Sequence, residues 1–86
     1  TKRARRKNIM DDSKIIFSNH AQIQLFKRGI SVEMVKNTIN SPQKLINFSN
    51  KYYAYKQFGG LCLKVVFIKI DEGILVVTQH FIKKLP

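Results

Sequence analysis

Two histidines, His20 and His80, are the only side chains of their kind in the chain. Histidine titrates near neutrality and can therefore take or give a proton at working pH. His80 closes the stretch "VVTQH", which reads as a strand. Simple alternation puts Val76, Thr78 and His80 on one face and Val77 and Gln79 on the other. His20 opens "HAQIQLFKRG", where Ala21, Leu25 and Arg28 fall on one helical row. Arg28 is then expected to be partly covered, and a covered guanidinium needs a partner or an anion. Proton-transferring groups together with cations suit acid–base work on a substrate held by positive charge. The plainer alternative has His20 merely opening a helix and His80 filling the outer face of a sheet.

Other chemistry finds little support. Two histidines, one cysteine and scattered carboxylates lack the spacing of a zinc site, so no metal and no cofactor are expected. "FGGL" has neither the lysine nor the helix context of a phosphate-binding loop. Cys62 sits in an apolar alternation and reads as a buried, inert thiol. A single cysteine cannot form an internal disulfide, which fits a reducing cytoplasm.

The charge points to the kind of partner. Sixteen Lys and Arg against five Asp and Glu give a net charge of +11 in 86 residues. Residues 1–9, "TKRARRKNI", hold five of the cations; residues 10–86, with eleven basic and five acidic side chains, still carry +6. Such a balance favours a polyanion, either nucleic acid or an anionic membrane surface, or else an acidic protein. No apolar run reaches the ~20 residues of a membrane span, and no apolar signal-peptide region stands near the start. Lys56, Lys64, Lys69, Lys83 and Lys84 lie within or at the ends of the last three expected strands, close to Tyr52, Tyr53 and Tyr55. Cations interleaved with aromatics suit RNA, because phosphates need positive charge and unpaired bases stack on rings. A solvated sheet face with edge-protecting lysines has the same composition.

A small α+β domain is expected to position these groups. Residues 1–12 are charged and lack periodicity, and read as a basic arm or linker, with Met10 a possible natural start; the domain is residues 13–86. "KIIFS" is a short strand ending where Ser18-Asn19 can cap a helix. The first helix stops at Gly29. A second begins at Ser31, with Glu33 in its first turn and an apolar stripe of Val32, Val35 and Ile39, and ends at Asn40-Ser41-Pro42. "KLINFS", "KYYAYKQF", "CLKVVFIKI" and "ILVVTQHFIKK" are rich in β-branched and aromatic residues and are separated by turn-forming residues. The order β-α-α-β-β-β-β implies a two-helix hairpin packed on one face of an antiparallel sheet, leaving the other face partly open for the polar side chains.

Several of these stretches resemble a bacterial and archaeal family of small domains of unknown function. They are His20-Ala21, Arg28-Gly29-Ile30-Ser31, Ser41-Pro42, Tyr53 to Gly60 and Val76-Val77-Thr78, so the likeness spans about residues 15–83. That family in turn looks like a branch of the RelE-like toxins, within the barnase, EndoU, colicin and RelE group of metal-independent ribonucleases. The resemblance implies a toxin with a cognate antitoxin or immunity protein, acting in the cytoplasm, either its own or that of a cell into which it is delivered. Carried over, it points to His20, Arg28 and Thr78. Where many members end "VVTxY", this chain has His80.

The expected reaction is attack of a ribose 2′-OH on the adjacent phosphorus, leaving a 2′,3′-cyclic phosphate and a 5′-hydroxyl. It needs a base, an acid and cations for the phosphate charge. His20 and His80 are candidates for base and acid in either order, with Arg28 and Thr78 completing the catalytic set. Tyr53, Tyr55, Lys56, Lys64 and Lys83 are expected to hold the RNA. Two other classes compete: a non-catalytic RNA- or DNA-binding module, and a basic interaction domain for an acidic protein.

Overall fold

The computed structural model describes residues 14–86; the expected arm at residues 1–12 lies outside them. The elements are β1 (Ile15–Phe17), α1 (Asn19–Arg28), α2 (Val32–Asn40), β2 (Lys44–Phe48), β3 (Lys51–Phe58), β4 (Leu61–Ile70) and β5 (Gly73–Ile82). This is the expected α+β order. The five strands form one sheet, β1-β5-β4-β3-β2. Strands β2 to β5 are an antiparallel meander, and β1 adds a parallel partner to the start of β5, pairing Ile15 with Ile74 and Phe17 with Val76.

Local chemistry sets the helix limits. The Ser18 hydroxyl accepts from Ala21 N at 3.0 Å, and the Ser31 hydroxyl accepts from Met34 N at 3.1 Å, each meeting an orphan donor of the first turn. Gly29 ends α1 in the left-handed conformation, φ 66°, which costs glycine least. At Gly73 (φ 150°) even a methyl group would collide with the Lys14 carbonyl oxygen. That close approach lets Ile74 N donate to the same oxygen and bring β1 alongside β5.

The core lies between the helices and one sheet face. Ala21, Ile30, Val35 and Ile39 pack against Ala54, Leu63, Val65, Phe67, Ile74 and Val76. Helix α1 rests on β5, and α2 on β4 and β3. Within the expected apolar stripe of α2, Val35 and Ile39 are fully buried, whereas Val32, its first residue, is 41% exposed. Cys62 is buried as expected; burial pushes its thiol pKa up, opposed by a backbone hydrogen bond at Lys56.

Alternation along β5 is broken. Phe67 pairs with Val76 but Val66 pairs with Thr78, so Val77 is the extra residue of a β-bulge. Val76 therefore faces the core, whereas Thr78 and His80 share the opposite face, which corrects the uniform alternation expected from sequence. Ser18 anchors this point: its backbone N–H donates to the Val76 carbonyl at 3.0 Å and its hydroxyl to the Val77 carbonyl at 3.1 Å.

Candidate functional site

Cross-strand register assembles the site on the sheet face away from the helices. Lys44 pairs with Tyr55, Tyr55 with Lys64, and Lys64 with His80, giving one row across four strands. The next row on the same face is Ile46, Tyr53, Val66 and Thr78. Thus His80, Thr78, Lys64, Tyr53 and Tyr55 do come together, although they are scattered through three strands. The Lys64 ammonium lies over the Tyr53 ring, 4.9 Å from its centroid, a contact that holds the cation on this face.

The half-buried His80 has its pKa lowered by burial first, then by the positive charges of Lys64 and Arg28. Its imidazole is accordingly neutral at neutral pH, the form that accepts a proton. In the unfolded chain the ring titrates near 6.5. Below about that pH the unfolded state binds more protons than the folded one, so this residue's linkage lowers stability as pH falls. Replacing Lys64 with methionine removes a like charge while keeping an unbranched chain. The His80 pKa should then move up towards 6.5, as followed by NMR titration of its ring. An unmoved titration would show that burial and Arg28 set the shift without Lys64.

Arg28 differs from expectation. It is exposed rather than covered, because it is the last residue of α1, where the chain leaves the helix at Gly29. Its Nε donates to Gln24 Oε1, one turn back on the same helix, which leaves both Nη groups for another acceptor. Its charge still reaches His80, since α1 lies along β5.

Two other expectations are altered by placement. Lys56 pairs with Leu63 and so faces the helices, on the side opposite Lys64; its Nζ donates to Asn37 Oδ1 of α2. The reason is the two-residue period of a strand, which sends Tyr55 and Lys56 to opposite faces. Tyr55 is on the site face but only 6% exposed, so its ring offers no open surface to a base. Burial raises its phenol pKa, with Tyr53 and Cys62 adding to the effect. Lys83 is exposed just past the end of β5. There the chain turns back, and Lys44 Nζ donates to the Pro86 carbonyl at 3.0 Å. Lys44 thus joins the row from the far edge, a position that only the β2–β3 register reveals.

His20 occupies the exposed first turn of α1. Ser18, the cap two residues before it, is bonded at Val76 and Val77, roughly 10 Å along β5 from His80 at a strand rise of ~3.3 Å per residue, and His20 belongs to the helical layer whereas His80 faces away from it. Gln79, which strand alternation puts on the face opposite His80, ties these parts together. Fully buried on the helix side, it donates from Nε2 to the Ala21 carbonyl at 2.9 Å, locking α1 to β5 between the two histidines. Its Oε1 has no partner among the described residues.

Among the described residues, no three His, Cys, Asp or Glu side chains come together. A groove of about 420 Å³ lined by Glu33, Met34, Asn37 and Phe58 lies beside α2 and does not include the His80 row. No helix described is long and apolar enough to cross a membrane. Comparison with known families gives a match over residues 17–79 to a family described as a domain of unknown function, DUF4258. The matched stretch includes His20, Arg28, Tyr53, Lys64 and Thr78 and stops one residue short of His80. Neither the curated proteins nor the solved structures yield a significant match.

Proposed function

The chain belongs to the DUF4258 family, and we propose that it is an endoribonuclease of RelE-like toxin type that cleaves RNA through attack of the ribose 2′-OH. The observation that carries this reading is the row Lys64–His80, with Arg28 acting on the same imidazole from α1. A neutral imidazole beside two cations suits a base working next to a phosphate. His80 takes the 2′-OH proton, Lys64 and Arg28 offset the charge that builds on the phosphoryl oxygens, and Thr78 orients the phosphate. His20 is the candidate acid for the departing 5′-oxygen. Base and acid on opposite sides of one phosphorus need not touch; from the helical layer His20 would have to meet the 5′-oxygen around the edge of β5. Such an activity belongs where RNA is, in the cytoplasm of the producing cell or of a target cell.

One observation favours a second reading, an interaction domain for an acidic antitoxin or immunity protein. Phe26 is 91% exposed and Ile23 55% exposed on the outer side of α1, beside Lys27 and Arg28. An acidic segment with apolar anchors complements such a face. The two readings are compatible in one toxin. Incubating the purified protein with total RNA and a chelator tests the first: cleavage ending in 2′,3′-cyclic phosphate is expected. Salt-sensitive RNA binding without any cleavage would instead identify a binding module.

A further inference from the structure

Phe48 ends β2 and is 69% exposed on the same face as Tyr53 and His80, yet it belongs to none of the site rows above. A single exposed apolar side chain is ordinary. What distinguishes Phe48 is its company. Its ring meets Tyr53 edge-on, with centroids 6.5 Å apart and planes at 67°. Tyr53 in turn lies under Lys64. Across the hairpin Phe48 pairs with Lys51, an exposed cation on the same face. The other tyrosines of this region offer less: Tyr55 is buried, and Tyr52 faces the core, stacked on Phe67 at 5.2 Å. Among the described residues Phe48 is therefore the most exposed aromatic ring on this face, braced by the half-buried Tyr53 and paired with a cation.

We propose that Phe48 is a stacking subsite for an unpaired nucleobase of a single-stranded RNA, remote from the scissile phosphate. The inference rests on the ribonuclease reading and specifies its substrate as single-stranded. An aromatic ring stacks any base, while Lys51 and Lys64 meet the phosphates on either side. Phe48 is three strands and two pairs of rows away from His80. At ~4.8 Å between strands and ~3.3 Å per residue that is about 20 Å. A strand must run several nucleotides along the face to reach both, and a duplex keeps its bases stacked away from the ring. The Ser49-Asn50 turn helps to fix the ring. Ser49 adopts a left-handed φ of 63°, and Asn47 Nδ2 donates to its carbonyl at 3.0 Å, closing the hairpin directly after Phe48.

The test compares Phe48→Ala and Phe48→Trp with the wild-type protein. Affinity is measured by fluorescence anisotropy for a 2′-O-methyl octanucleotide, which cannot be cleaved, for a dinucleotide and for a duplex of matched length. Phe48→Ala should weaken octanucleotide binding roughly tenfold, by loss of one base stack, with Phe48→Trp restoring it. Dinucleotide cleavage and duplex affinity should stay at the wild-type level. Because the ring is largely exposed, melting curves of the full chain should barely change. An octanucleotide affinity unaltered in Phe48→Ala overturns the subsite. If wild type still cleaves RNA in that case, the ribonuclease reading stands and only the subsite fails. If the variant loses binding to a glutamate-rich peptide but not to the octanucleotide, the ring serves a protein partner and the proposal is wrong. A wild-type protein that neither binds nor cleaves RNA removes both.

Discussion

Replacing His80 with alanine should slow RNA cleavage by about 10²–10⁴-fold, the range for loss of a general base. The argument begins with the strand register, which sets His80 opposite Lys64 on the exposed side of the sheet. Burial and the charges of Lys64 and Arg28 then favour its neutral form, which can accept a proton at neutral pH. In the wild type, the acid limb of the rate profile should fall below pH 6.5, the ordinary histidine value. The rate rises with pH through that limb, because deprotonation creates the active form. His80 lies outside the core cluster, so the variant should melt close to the wild-type temperature. Product analysis by end-labelled RNA, with the pH profile beside it, makes the measurement. Wild-type cleavage by a folded His80→Ala variant would remove this face from the chemistry altogether.

Arg28→Lys should cost about 10²–10³-fold in cleavage although the charge is kept, the scale seen when a preorganised oxyanion donor is lost. A guanidinium presents a planar fork that meets two phosphoryl oxygens at once; an ammonium is a compact point charge. Gln24 already accepts from Arg28 Nε, which orients the fork and leaves the Nη pair for an incoming acceptor. Lysine has no counterpart to either feature. Arg28 is exposed, so little stability should be lost, and a melting curve separates a chemical defect from an unfolded chain. The defect should appear in kcat more than in KM if the grip tightens in the transition state. A lysine variant with full activity would show that positive charge is the only requirement at this position.

The elements were readable because their signals are local. Ser18, Gly29, Ser31 and Pro42 mark helix ends by their own hydrogen-bonding and dihedral preferences, and the structure ends the helices there. The strands follow from runs of β-branched and aromatic residues between two-residue turns. Cys62 was legible as a buried thiol for the same reason. The parallel pairing of β1 with β5 is different in kind. It joins the first strand to the last, and nothing within "KIIFS" specifies which strand it will meet.

Local signals along the chain set the α+β order, the positions of the helix caps and turns, and the inventory of titratable and cationic groups. These depend on each residue and its near neighbours. Tertiary structure decided which groups share a face. The bulge at Val77 turned Val76 into the core while leaving Thr78 and His80 outside, a shift set by pairing with β4 and by Ser18. Register with β4 put Lys64 beside His80 and sent Lys56 to the helices, although both lysines read alike in the chain. The docking of α1 along β5, held by Gln79 on the Ala21 carbonyl, carried Arg28 to His80 and left it exposed. Each outcome depends on contacts between residues far apart in sequence. A strand's two-residue period makes them sensitive to a single inserted residue, since one step of register reverses the face of every side chain that follows.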